Sequence, residues 1–490
     1  MGTTVLAIDQ GTSATKCVLV DEHGAIVAKA SAPVGERYPH PGWVEQDADE
    51  IWGSVLAAVR DCLAHGPGGP VAAVGLSTQR ESALIWERDG GRPVSPLLSW
   101  QDQRTVQLRD ELAKDGVEAM IRARSGLPFD PMFSALKISW LLDRMDPQRS
   151  RAAGGQWCAG TVDAYLLARL GAEHVVEVGN ASRTQLLDVH RAAWDDQLLS
   201  LFRVPKAAMP RVVPSAGRMA DAGRLHPSLR GVGVEAVMAD SHSALFAHGA
   251  YRPGVVKATL GTGSSVMGLT DGLAPAHPGV CVTIAWDAGE GPRQALEGNI
   301  RAAGATVRWI AELFGLTPDD VAQRAAAADG KGVCLVPGFN GLGAPWWDAR
   351  AVGLISGLTL GTDRDALLVA AIESIAHQVA DVVEAMDASV PGIGRLMLDG
   401  GPSRNAHLRK LLSSYIGRPV VHCTDPELSA LGVAHMAGMR AGLWDLDALA
   451  RLPRAQQASD ASSGREAARP ARRRWARAVA QSRLVAGDEP

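Results

Sequence analysis

A short apolar run, Val5-Leu6-Ala7-Ile8, breaks at Asp9-Gln10-Gly11-Thr12-Ser13 and resumes from Lys16 to Val20, and the same punctuation returns far downstream. There Val255 to Leu260 leads into Gly261-Thr262-Gly263-Ser264-Ser265 and out again through Val266 to Leu269. Apolar runs joined through Gly and Thr read as strands joined by tight turns. A third strand, Ala25 to Ala28, follows the first pair after Asp21-Glu22-His23-Gly24. Two hairpins, each opening a large region, read as a diverged internal duplication with its boundary between Gly249 and Gly254. A chain of 490 residues is too long for one hydrophobic core. Two large domains are therefore expected, over 1–250 and 251–450, with a polar and Arg-rich tail over 451–490 that ends in a helix.

Between the hairpins, helical periodicity with an acidic start spans Asp47 to His65, and the strand-like Val71 to Leu76 delivers Thr78-Gln79-Arg80-Glu81 to a strand end. In open α/β sheets ligands bind at such ends. Further helices are expected near Phe133 to Arg144, Asp163 to Leu170 and Asp240 to Ala250. The segment Arg465 to Leu484 reads as a terminal helix with a solvated basic face packed through Trp475 and Val479, with a nucleic-acid patch as the alternative.

The formal net charge of -4 provides no global basic field for nucleic acid or a membrane surface, which points to a small-molecule partner. No stretch reads as long and apolar enough to span a membrane, and the N-terminus runs straight into a strand, so a cytoplasmic protein is expected. The six cysteines lack any C-x-x-C spacing and read as buried, reduced thiols.

Gly11 and Thr12 let backbone N–H groups and a hydroxyl approach phosphate oxygens, with Lys16 nearby as a cation and Asp9 able to hold a hydrated Mg²⁺. The turn at Gly261-Thr262-Gly263 offers the same chemistry, and Asp399-Gly400-Gly401-Pro402-Ser403-Arg404-Asn405 adds a third Gly-rich turn that opens a helix. One Gly-Thr hairpin is common in proteins that bind nothing; three such turns in one chain are not. Neither a Walker-type G-x-x-x-x-G-K-[ST] nor a G-x-G-x-x-G between strand and helix is present, so hairpins must hold any phosphate.

Two phosphate hairpins followed by a late D-G-G turn resemble the superfamily of actin, the Hsp70 chaperones and hexokinase. Tyr38 to Asp47, Thr78-Gln79-Arg80-Glu81, Trp100-Gln101, Met132 to Trp140, Gly160 to Asp163, Asn180-Ala181-Ser182-Arg183-Thr184 and Gly341 to Asp348 narrow the resemblance to the FGGY family of carbohydrate kinases, in its glycerol-kinase branch. The resemblance runs in collinear order from about Leu6 to Trp444. It implies an α/β fold of two ribonuclease-H-like domains, of the actin/hexokinase type, flanking a catalytic cleft. The activity it implies is ATP-dependent phosphorylation of a polyol or sugar hydroxyl with Mg²⁺, in a homodimer or homotetramer. A sensor that binds ATP without transfer is the other class, and the joint presence of Asp9, Arg80, Glu81 and Asp240 argues against it.

By resemblance, Arg80 and Glu81 address the acceptor hydroxyls, Trp100 covers the carbon chain and Asp240 takes the proton of the attacking hydroxyl. The plainer alternatives are an Arg-Glu ion pair, a core Trp and a helix N-cap. The resemblance further assigns Thr12, Ser13 and Lys16 to the first phosphate loop, Thr262 to the γ-phosphate, Gly304 and Arg308 to the nucleotide cleft, and Gly401 and Asn405 to adenosine, with Asp9 as the metal residue. Lys16 and Arg308 stand where the branch commonly has Arg and Gln. In the acceptor pocket, Met132, Ser241 and Ser265 replace its Tyr, Gln and Phe, so a roomier pocket is expected and a four- or five-carbon polyol or ketose, such as erythritol or xylulose, rivals glycerol. Ser228 to Gly233 does not match the branch's loop for fructose bisphosphate, and no such regulation is expected.

Overall fold

The structure, a computed structural model, describes residues 2–273, 278–390, 392–425, 427–459 and 464–484. Residues 460–463 and 485–490 of the expected tail lie outside the described residues. The chain forms two compact α/β units. The first comprises Met1–Tyr251 together with Val282–Gln294 and Glu427–Pro453, and the second comprises Arg252–Cys281, Ala295–Pro426 and Arg454–Pro490. Reading hydrophobic runs along the chain places one boundary near residue 250; it carries no sign that two later segments return to the first unit.

The sheet of the first unit has six strands in the order Ala216–Asp221, Gly233–Ala239, Val71–Thr78, Thr4–Gln10, Ala14–Asp21 and Ile26–Pro33. Thr4–Gln10 is apolar and buried along nearly its whole length, as a central strand covered on both faces should be. It runs antiparallel to Ala14–Asp21 and parallel to Val71–Thr78, which in turn runs parallel to Gly233–Ala239. Gln10 pairs with Thr78, and Thr78 with Ala239. This register ends all three parallel strands at one level, so Gly11, Gln79 and Asp240 leave the sheet side by side.

Helix Ala48–His65 covers the hairpin side of this sheet through Ile51, Val55, Ala58, Val59 and Cys62. Its start is fixed by Asp47, whose carboxylate accepts the Asp49 and Glu50 N–H groups, an N-cap in the usual sense. Helix Leu428–Arg440, from far down the chain, packs on Val71–Thr78 and on helix Asp240–Ala247.

The second unit repeats the plan. Val255–Leu260 runs antiparallel to Ser264–Leu269 and parallel to Arg395–Gly400, with Leu260 opposite Gly400. Ser264–Leu269 pairs in turn with residues 295–300. The turn after Leu260 and the turn after Gly400 therefore emerge together, as those of the first unit do.

Helix Arg364–Ser389 corrects the expectation that no segment is apolar enough to span a membrane: by length and composition it could, yet most of it is buried. It packs against Pro318–Ala327, Cys334–Val336 and Ala406–Ile416, so its apolar length serves a core. The Arg-rich segment is the helix Arg465–Leu484, held by buried Trp475, Ala478 and Val479. Arg472 is turned inward to Asp381 and Glu384, and Trp475 Nε1 donates to Asp381 at 2.7 Å. All six cysteines are free and buried.

Candidate active site

Three strand ends converge in the first unit. Asp9, the penultimate residue of its strand, accepts Ser77 Oγ at 2.9 Å from the neighbouring strand. Burial and the charge of Asp240 push its carboxyl up to about 7, against the pull of Ser77 and Lys16. Lys16, across the hairpin from Asp9, forms an ion pair with Glu427 at 2.9 Å. Burial works against the Lys16 charge, but Glu427 and Asp9 more than offset it and raise its pKa.

Gly11 N–H donates to Ala14 O at 3.0 Å, which closes the turn that carries Thr12 and Ser13. Behind it lies a polar network. Gln46 Nε2 donates to Thr12 O at 2.7 Å, and Gln79 Nε2 donates to Gln10 and Gln46. Ser82 Oγ donates to Gln79 Oε1 at 2.8 Å and accepts the Trp100 N–H at 3.0 Å. Trp100 Nε1 then donates to Thr12 Oγ1 at 3.1 Å, so the indole expected over the acceptor and the turn expected to hold phosphate are one connected structure. Satisfied buried networks of this kind rigidify what they hold.

Asp240 is the first residue of helix Asp240–Ala247; the N-cap position belongs to Ala239, and the Asp240 side chain is not a cap. Its Oδ1 lies 3.2 Å from Arg80 Nε instead. Arg80 is 7% exposed and Asp240 35%, so the cation is locked in the protein while the carboxylate faces outward. Ser241 N–H donates to the same Oδ1 at 2.5 Å. Glu81 is buried beside Arg80, with Arg183 Nε donating to its Oε1 at 2.7 Å. The plain Arg-Glu ion pair is thus present, at 3.8 Å, and Arg80 shares it with a second carboxylate, Asp240, at 3.2 Å.

Met132 is half-buried, and its backbone is gripped at both ends. Its N–H donates to Asp130 Oδ1 at 2.9 Å, and its carbonyl, with that of Pro131, accepts from Lys137 Nζ at 2.6 and 2.7 Å. Burial lowers the Lys137 pKa to about 8, opposed by Asp102, Glu81 and Asp130.

The second unit carries the remaining expected residues. Gly304 N–H donates to Gly261 O at 2.9 Å, and the Ala303 and Ala305 N–H groups donate to Thr262 O, so the hairpin sits on the first turn of helix Gly304–Phe314. A Cβ on Gly304 would stand 2.5 Å from Gly261 O, which is why no side chain fits there. Arg308 Nη2 donates to Thr262 Oγ1 at 3.1 Å. Gly400 adopts φ 88° with its Cα against Leu260 O, where a Cβ would come within 2.1 Å. Beyond it Gly401 is exposed, with open space where a Cβ would be. Asn405 Oδ1 caps helix Ala406–Ile416 through the His407 and Leu408 N–H groups, while its Nδ2 is buried with no hydrogen-bond partner among the described residues. A donor so placed suits a ligand acceptor. Ser265 also belongs to this unit, and its hydroxyl donates to Glu297 Oε1 at 2.8 Å.

Residues that the sequence reading leaves without a role complete the arrangement. Arg183 lies within the Asn180 to Thr184 motif and Lys137 within the Met132 to Trp140 motif, so both stand in stretches marked as notable. Glu427 carries no local signal at all. Among the described residues, no three His, Cys, Asp or Glu side chains converge as a metal cluster.

The N-terminal domain model of the FGGY family of carbohydrate kinases matches residues 4–247, and the C-terminal domain model matches residues 256–441. A glycerol kinase of Geobacter sp. (strain M21) is 41% identical over 459 residues, covering 91% of this chain and 92% of its own. An apulose kinase of Pectobacterium atrosepticum is 38% identical over 488 residues, 98% of each chain. Among solved structures, Plasmodium falciparum glycerol kinase with ADP aligns with a TM-score of 0.91 at 26% identity over 98% of both chains. A xylulose kinase from Lactobacillus acidophilus aligns with a TM-score of 0.85 at 20% identity over 99% of this chain and 97% of that one, a likeness of fold. With both domain models matched in order and relatives this similar over nearly its whole length, the chain belongs to the FGGY family of carbohydrate kinases.

Proposed function

We propose that the protein transfers the γ-phosphoryl group of ATP to a hydroxyl of a small polyol or ketose. The observation that carries this reading is the register of the first sheet: it ends three parallel strands at one level and so groups Asp9, Arg80, Glu81 and a solvent-facing Asp240. Arg80 and Glu81 hydrogen-bond the acceptor hydroxyls, an arrangement in which charged partners strengthen each bond. Trp100 lays its indole against the C–H groups. Asp240 accepts the proton of the attacking hydroxyl, while Arg80 keeps that carboxylate oriented. In the second unit, Thr262 and Arg308 serve the phosphates, and Gly401 and Asn405 receive adenosine. Thr12, Ser13 and Lys16 supply donors and charge at the first turn.

Asp9 fits a role toward Mg²⁺: a partly buried carboxyl raised to about 7 beside a second carboxylate is relieved by a cation. The lack of a three-ligand cluster among the described residues suits an ion that keeps most of its water and is held through one carboxylate and the nucleotide phosphates. When bound, the ion neutralises phosphate charge. A coupled ADP-release assay across C3 to C6 polyols and ketoses tests the reading, and failure to turn over any acceptor would reject it.

Nucleotide binding is expected to fail by two separate routes. Thr262→Ala removes a phosphate donor and Gly401→Trp fills the open space above the turn; calorimetry should show weaker ATP binding by both. Unchanged affinity in both would misplace the nucleotide site.

Relatives named for glycerol and for apulose leave chain length of the acceptor as the finer question. Met132 and Ser241 stand where the glycerol-kinase branch has Tyr and Gln, so we propose a pocket that accepts carbon chains longer than glycerol. In the double variant Met132→Tyr/Ser241→Gln, preference should shift toward glycerol by about 10- to 200-fold, the scale of one or two altered pocket contacts. A wild type that already prefers glycerol strongly, with a ratio the double variant does not move, would defeat the roomy pocket.

A further inference from the structure

Glu81 occupies a backbone shape that cannot hold itself. Its φ of 61° is left-handed, and Ser82 N–H reaches back to Arg80 O at 2.7 Å, so the chain reverses over three residues. A turn of this kind is strained for a residue with a side chain and persists where its surroundings over-determine it. Ser134 Oγ holds the Glu81 carbonyl at 3.0 Å, and Arg183 Nε holds its carboxylate at 2.7 Å.

Arg183 is 0% exposed, its guanidinium 5.1 Å from the centre of the Phe133 ring. A buried guanidinium is costly unless paired, so its position is specified by Glu81 as much as it specifies Glu81. Its own backbone is fixed as well. Arg183 N–H donates to Asn180 O at 3.0 Å, and the next carbonyl, Thr184 O, accepts Ala135 N–H at 2.9 Å. One side chain thus links the turn that carries Glu81 to Phe133, the neighbour of Met132. The charges also alternate in a line: Asp240 to Arg80 at 3.2 Å, Arg80 to Glu81 at 3.8 Å, Glu81 to Arg183 at 2.7 Å. Without Arg183, the balance that shares Arg80 between Asp240 and Glu81 moves toward Glu81.

We propose that Arg183 is the positioning residue of the acceptor site, setting the Glu81 carboxylate and the Phe133 ring before any acceptor arrives. The inference rests on the kinase reading of Arg80, Glu81 and Asp240 given above. Arg183 is fully buried and acts through Glu81, so its loss is read in acceptor binding and spares ATP.

Coupled ADP release tests it, with acceptor and ATP varied separately, for wild type, Arg183→Met and Arg183→Lys, using the polyol or ketose that wild type turns over fastest. Arg183→Met should raise the acceptor KM at least about 10-fold with the ATP KM within about twofold, a loss of ground-state binding on one side of the reaction. Arg183→Lys should fall between, because an ammonium restores the charge but lacks the planar fork. A folded Arg183→Met with wild-type acceptor KM, or with ATP KM rising in parallel, overturns the inference. Where Arg183→Met does not fold, Arg183→Lys decides: a raised acceptor KM with unchanged ATP KM supports it and a wild-type acceptor KM overturns it. A wild type that turns over no acceptor rejects the kinase reading itself.

Discussion

Asp240→Asn is expected to lower kcat by at least about 100-fold while ATP affinity stays within about twofold, the scale of losing a general base. Two roles of this carboxylate have to be separated. It can take a proton, and it also partners Arg80 at 3.2 Å, so its loss could act through Arg80 and Glu81, the pair proposed to bind the acceptor, instead. The asparagine keeps the size of the side chain and an oxygen for the Ser241 N–H, but neither the charge nor the basicity. Were Asp240 only an anchor for Arg80, the acceptor KM would rise and kcat would hold. As the base, it controls kcat, and saturating acceptor cannot rescue the variant. Steady-state kinetics at saturating ATP, together with calorimetric ATP binding, distinguishes the two; a kcat within about tenfold of wild type would remove Asp240 from proton transfer.

The residues of this site differ in how far a sequence exposes them. Asp9, Thr12, Arg80, Glu81, Asp240 and Thr262 each lie within three residues of a strand end. A short apolar run broken by Gly, Thr or Asp is a strong local signal, so the hairpins and the strand that delivers Arg80 are readable along the chain. Arg183 is different. Its partner Glu81 is 102 residues away, and no periodicity links them. Glu427 pairs with Lys16 from near the opposite end of the chain, and the segment Glu427–Pro453, which holds helix Leu428–Arg440, belongs to the first unit although the stretches on either side of it belong to the second. Long-range pairing of buried charges follows from the fold and leaves no local pattern. The same holds for helix Arg364–Ser389, whose composition states that it is buried but not in what. Asn405 shows the opposite limit: the turn it ends is readable as opening a helix, and the fold adds that its amide oxygen caps that helix while its nitrogen remains for something else.

Asp9→Asn should uncouple stability from function in opposite directions. The Asp9 carboxyl is raised from 3.8 to about 7, first by burial and then by the charge of Asp240. A group with a raised folded pKa gives stability that is complete below its unfolded pKa and lost as pH rises through the folded value. For Asp9 that window runs from 3.8 to about 7, so at pH 8 the protein without ligands bears the full cost of an ionised carboxylate beside Asp240. Asparagine is neutral throughout and still offers an oxygen to Ser77 Oγ. Allowing for solvent screening of a partly exposed group, the variant should be more stable than wild type by about 1–3 kcal/mol at pH 8, with the advantage shrinking toward pH 5. Function should move the other way, because a neutral amide offers less to a dication. Phosphoryl transfer should fall by at least about 100-fold, and the stabilisation that MgATP gives wild type, larger at pH 8 than at pH 6, should be largely lost in the variant. Thermal unfolding with and without MgATP at the two pH values checks both halves. Loss of stability at pH 8 in the absence of ligand would show that the Asp9 charge is paired in the fold more strongly than its neighbours indicate. Retained MgATP stabilisation would show that the cation is held elsewhere.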